Sequence, residues 1–137
     1  FVKKSVIDEL NGFDDTFLRH QDYEFLVRLF LKYDLLAIPE VLVIKNNENF
    51  NAPNLEKTIS IKKQYLTKFN DIISSLSQSD QNKIFHSQNI GIAEVAMSHN
   101  KYKEANVYYK KASKYQPLTL REWFRRIVYP IYNLIDR

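Results

Sequence analysis

Between Gln21 and Asp34 apolar residues recur at Phe25, Leu26, Leu29, Phe30 and Tyr33, with Val27 and Leu31 on the opposite side. That spacing predicts a helix that is apolar nearly all round. Such a helix must be covered on several faces, more than 50 residues of local chain supply, so the pattern implies a covering surface elsewhere. Upstream, Ser5 followed by Asp8 and then Asn11-Gly12 predicts a short helix, capped at Ser5 and closed by a glycine that tolerates positive φ. Downstream, Leu35–Ile38 and Val41–Ile44 flank Pro39 and are short, apolar and rich in β-branched residues, which suits two buried strands of a larger sheet. Asn46–Asn54 is rich in asparagine, with Glu48 and Pro53, and reads as a polar linker. Beyond it Leu55–Leu76, Gln81–His99, Lys101–Tyr115 and Leu118–Ile135 carry helical spacing, separated by Ser77–Asp80, Asn100 and Pro117. The expected organisation is therefore a segment 1–50 and an all-α region 51–137, mainly α as a whole.

Composition sharpens this picture. With 45% hydrophobic residues, nine Phe and nine Tyr, the chain has the material for a core and not the composition of a disordered tail. Cysteine is absent, so neither a disulfide framework nor a thiolate metal site is available, which fits a reducing compartment and makes the cytoplasm the default location. No apolar run approaches the roughly 20 residues that span a bilayer, and no leader pattern opens the chain. The first residue is Phe1, and the chain reads as a fragment. Charge is uneven: residues 1–50 hold six basic and nine acidic side chains, and residues 51–137 hold fourteen and seven. The basic second half favours an anionic partner, or is a set of lysines on solvated helix faces. Nucleic acid is not expected, because the charge is modest and no recognition motif occurs.

Residues 10–29, LNGFDDTFLRHQDYEFLVRL, resemble the segment of family-two GT-A glycosyltransferases in which a Gly-Phe-Asp-Glu turn leads into an acidic pair, an aromatic and a Leu-x-x-Arg helix. Residues 35–45, LLAIPEVLVIK, resemble the strands that follow in those enzymes. The order of the three elements is more specific than any one of them. The resemblance implies that residues 1–50 are the C-terminal remnant of an α/β GT-A domain. It also implies an inverting transfer from a nucleotide-diphospho-sugar to a hydroxyl acceptor, in the synthesis of a cell-envelope polysaccharide or glycoconjugate.

Asp22 matches the carboxylate that removes the acceptor's proton, a role worth about 10²–10⁴-fold in rate. Read alone, an aspartate in the first turn of a helix is a cap or a surface charge. Gln21 stands where an acidic residue is common in the family and is a candidate substrate contact. Arg28 matches the recurrent arginine and would serve the acceptor or phosphate side, or the structure; His20 reads as a loop residue, or as one that lines the acceptor pocket. Glu24 and Arg28, four apart, read as an ordinary intrahelical ion pair.

Asp14-Asp15 lies in the later turn and lacks the D-x-D spacing, so no metal ligand is expected in this chain. Asn46-Asn47-Glu48-Asn49 occupies the region where some members carry a histidine. By the resemblance, a divalent Mg or Mn ion belongs to the full-length parent, as does the nucleotide-binding half before Phe1. The fragment alone should not turn over sugar, since catalysis requires two substrates held in line.

Residues 88–117 resemble one tetratricopeptide unit, with Ile92 and Ala93 in a first helix and Tyr102, Ala105, Tyr109, Ala112 and Pro117 at the offsets of the second. Any αα-hairpin also needs small residues at its crossing. In the last segment Leu120, Trp123, Phe124, Ile127, Ile131, Leu134 and Ile135 form one stripe opposite Arg121, Arg125 and Arg126, with a kink expected at Pro130. Two arrangements explain the stripe: a helix packed on the hairpin, or a basic amphipathic helix on an anionic membrane. The rival to an enzyme fragment is thus a helical interaction module, associating with a protein, with a second copy as a homo-oligomer, or with the inner face of the membrane.

Overall fold

A computed structural model describes residues 2–17, 19–44 and 54–135, with side chains through Val128. Seven helices and no strand occur among the described residues. The chain divides into two units, Phe1–Ala52 and Pro53–Arg137, each with a core of its own. The Asn46–Asn54 linker expected from sequence lies, apart from Asn54, outside the described residues.

In the first unit α1 (Lys4–Glu9) begins one residue before Ser5, with Lys3 at the N-cap and no side-chain cap, so the expected Ser5 cap is not formed. Its end is a Schellman closure. Asn11 N–H donates to Asp8 O at 3.1 Å and Gly12 N–H to Ile7 O at 2.8 Å, with Asn11 and Gly12 both at positive φ. Next comes a turn in which Asp14 Oδ1 accepts from Thr16 N–H at 2.9 Å and from the Thr16 hydroxyl at 2.6 Å, leading into the buried Phe17.

Helix α2 spans Gln21–Phe30, shorter than the Gln21–Asp34 pattern suggested. The chain turns because Lys32 and Tyr33 both reach back to α1, where their side chains bind the Glu9 carboxylate. Leu10, Phe25 and Leu29 form the buried cluster, with Val6, Ile7, Leu26 and Tyr33 against it.

Residues 34–44 are not strands. Leu36 and Val41 are 91% and 87% exposed, against the expectation of burial. A strand exists only through a ladder with a neighbour, and no described segment supplies that ladder, so β-branched composition alone leaves the backbone irregular.

In the second unit α3 (Leu55–Lys68) starts under a cap from Asn54, whose Oδ1 accepts from Lys57 N–H at 2.8 Å. Leu55–Leu76 is not one helix. It breaks at Phe69 into α4 (Asn70–Ser75), and the break turns Phe69 and Ile73 inward. Helix α5 (Gln78–Ser98) begins before the expected Gln81, because Ser77, the first of the four residues read as a separator, caps it, its Oγ accepting from Asp80 N–H at 3.2 Å. Helix α6 (Tyr102–Ala112) follows a second Schellman closure at Asn100, φ 58.

The α5–α6 hairpin is close-packed because Ala93, Ala96, Ala105 and Ala112 are wholly buried at its crossing, with Tyr109 filling the space beside them. Ile90, Ile92, Met97 and Leu55 complete the core.

Helix α7 (Leu120–Ile135) is continuous across Pro130. It starts in a reciprocal capping box: Glu122 Oε2 accepts from Thr119 N–H at 2.7 Å, and Thr119 Oγ1 accepts from Glu122 N–H at 3.3 Å. Its polar side meets the hairpin. Arg125 pairs with Glu94, and Arg126 Nε donates to Asn106 Oδ1 at 2.8 Å. Leu120, Trp123, Phe124 and Ile127 consequently face outward, Leu120 at 89% exposure. The stripe residues Ile131, Leu134 and Ile135 lie beyond the described side chains.

Candidate functional site

The first turn of α2 presents His20, Gln21, Asp22 and Tyr23 on or near the surface. His20 is the N-cap and holds a left-handed backbone, φ 63. That conformation is uncommon for a residue with a side chain, although histidine adopts it more often than most. Its ring lies 5.2 Å from that of Tyr23.

Asp22 and Glu24 differ by two positions, about 200° around a helix, so they must face opposite ways. Glu24 points inward and is wholly buried. It is held by Arg28, whose Nε donates to Glu24 Oε1 at 2.7 Å and whose Nη2 donates to Oε2 at 2.8 Å. The same guanidinium donates to the Leu10 carbonyl, and to the Gly12 carbonyl at 2.7 Å, two acceptors at the end of α1. Arg28 also lies over the Phe25 ring at 5.5 Å. Glu24 and the bond it accepts raise the guanidinium's affinity for its proton further above an already high value.

With Glu24 fixed inward, Asp22 is fixed outward, exposed at the positive end of the helix dipole. No side-chain hydrogen bond or ion pair to Asp22 occurs among the described residues. Of the four residues singled out from sequence, His20, Gln21 and Asp22 share this helix start. Arg28 stands about 9 Å further along the axis, committed to Glu24 and to two carbonyls. Glu24 was readable from sequence as an i, i+4 partner of Arg28; its burial was not, because that depends on carbonyls 16 and 18 residues from Arg28.

The described residues place no three His, Asp or Glu side chains where they could hold one cation, and Asp14 is engaged in its turn.

In the second unit the sequence reading overlooked His86, which joins three helices. Its Nδ1 lies 3.2 Å from Ala112 O, which can only accept, so Nδ1 carries a proton; its Nε2 lies 3.4 Å from Glu122 Oε1. Searches of models of known families, of curated proteins and of solved structures returned no match to this chain.

Proposed function

We propose that this chain is the acceptor-side end of a family-two, GT-A-type inverting glycosyltransferase, followed by a helical tail built around one tetratricopeptide-like hairpin. The observation that carries the reading is the outward Asp22 carboxylate, held in that orientation by the buried Glu24–Arg28 lock. In the reaction, Asp22 takes the proton of the acceptor hydroxyl while that oxygen attacks the anomeric carbon of a nucleotide-diphospho-sugar. The new glycosidic bond forms on the face opposite the breaking bond to phosphate, and the nucleoside diphosphate leaves. His20 and Gln21, beside Asp22, are the acceptor contacts. Arg28 acts through Glu24 as a positioning residue.

The exposed apolar run at residues 35–44 supports the same reading, as chain prepared to join a sheet supplied by the rest of the parent. The donor and its metal belong to that remainder, and the fragment alone is inactive. In the full-length protein Asp22→Asn should lower kcat by about 10²–10⁴-fold while leaving the fold intact; a near-normal rate defeats the assignment.

A second reading, that the tail mediates peripheral membrane contact or association, is favoured by the outward Leu120, Trp123, Phe124 and Ile127 of α7. Exposed Trp and Phe beside arginines suit an anionic headgroup layer. Flotation with anionic vesicles, comparing the 137-residue chain with one ended at Pro117, decides the membrane option: equal flotation removes α7 as an anchor.

A further inference from the structure

Along α3, α4 and α5 runs an open groove of about 550 Å³. Its apolar lining includes Ile59, Leu66, Ile73, Phe85 and Ile92, and its single half-buried charge is the Lys62 ammonium. Lys62 reaches this position because α5 carries glycine at residue 91. A Cβ there would meet Lys62 Cε and Nζ at 3.0 Å, so a side chain would make the lysine end give way by a few tenths of an ångström.

Once seated, the ammonium donates to Gln88 Oε1 at 2.9 Å, a neutral acceptor. No carboxylate pairs with it among the described residues. Burial alone acts on the amine and pulls it below the ordinary lysine value of 10.5. Lysine normally keeps its head in water or meets an opposite charge. Here the cation is partly desolvated and its counter-charge is missing, a costly arrangement that a bound anion would relieve.

We propose that this groove binds a small soluble amphiphile with one anionic headgroup, a carboxylate or phosphate that pairs with Lys62 while its apolar body lies over Ile59, Ile73 and Phe85. At the exposed rim Lys63 offsets Asp71, and the basic balance of residues 51–137 draws the same charge sign to this region. Neither Asp22 nor sugar transfer enters into this site.

Decyl phosphate, decanol and inorganic phosphate, each below any micelle-forming concentration, test it by calorimetric titration of the 137-residue chain. Decyl phosphate should bind at least about tenfold more tightly than decanol, the worth of one charge-assisted hydrogen bond, and more tightly than inorganic phosphate. In Lys62→Met, decyl phosphate should fall to the level of decanol. Equal binding of decyl phosphate and decanol, equal binding of inorganic phosphate, or a Lys62→Met protein that keeps the preference overturns the proposal. If Lys62→Met loses its helical circular dichroism, the wild-type protein decides: with lysines labelled by reductive ¹³C-methylation, the Lys62 resonance should move with decyl phosphate and stay with decanol. A resonance that ignores decyl phosphate is equally fatal.

Discussion

Two carboxylates, Asp22 and Glu24, begin the same helix and are sent to opposite environments by a rotation of about 200°. Burying one of them against Arg28 is what keeps the other exposed. Removing one partner of a buried pair strands the other charge and costs about 3–5 kcal/mol. Arg28 retains 22% of its side-chain surface in water, so Glu24→Gln should sit at or below the lower end, about 2–3 kcal/mol. Asp22→Asn, at an exposed position, should stay within about 0.5 kcal/mol of wild type. Urea denaturation followed through the α1 and α2 amides compares the two variants; equal effects would mean that the lock does not hold this unit.

Glycine 91 offers a second residue-scale test, because two consequences of its missing Cβ oppose one another. Alanine is worth about 1 kcal/mol over glycine inside a helix, and the only atoms the new methyl meets are the far end of a flexible lysine. Gly91→Ala should therefore raise thermal stability by about 0.5–1 kcal/mol while displacing the end of Lys62 by a few tenths of an ångström. An unchanged Lys62 methyl resonance in the labelled variant would contradict the packing described for it.

At the scale of elements, α7 illustrates which information spacing carries. The stripe of Leu120, Trp123, Phe124 and Ile127 is plain in the sequence, yet the helix docks through its other side. Periodicity reports that a helix has two faces; which one is used depends on what the neighbour offers. The hairpin offers Glu94 and Asn106, which match Arg125 and Arg126. Helix starts follow the same logic. Ser77 with Asp80 is a capping signal that was legible in principle, but its polarity made it look like a break between helices, and Thr119 with Glu122 is a second one inside the expected Leu118–Ile135. The 35–44 run misled for the opposite reason, since strand formation requires a partner that composition cannot report.

Glu122 makes the α7 dock sensitive to acid. Burial pushes its carboxyl up, but the Thr119 N–H and hydroxyl together with His86 outweigh this and hold it below its ordinary value of 4.5. A depressed carboxyl contributes stability above its unfolded value and loses it as pH falls through its folded value. Amide protection over residues 120–128 should therefore be full near neutral pH and decline as pH drops below 4.5. Glu122→Gln should remove that step, and its persistence would assign the transition to another group.

For the molecule as a whole, the unequal cores of the two units set an order of stability. The first unit buries Leu10, Phe17, Phe25 and Leu29 around one ion pair, and leaves its apolar residues at 35–44 in water. The second buries nine hydrophobic residues in one cluster, four of them alanines at a close helix crossing. Small units bury too little of their surface to be robust, and amide exchange follows local opening. Protection should thus be highest at Ala93, Ala96, Ala105 and Tyr109 and distinctly lower throughout α1 and α2. Glu24→Gln should abolish the α1 and α2 protection and leave the hairpin amides unchanged; loss of protection in α5 and α6 would show that the two cores do not stand separately. The glycosyltransferase reading adds one consequence. If residues 35–44 complete a sheet in the parent enzyme, α1 and α2 should exchange more slowly in the full-length protein than in the 137-residue chain, because burying that run removes the weakness of the first unit. Identical exchange in the two would leave the exposed run without the covering surface that the reading requires.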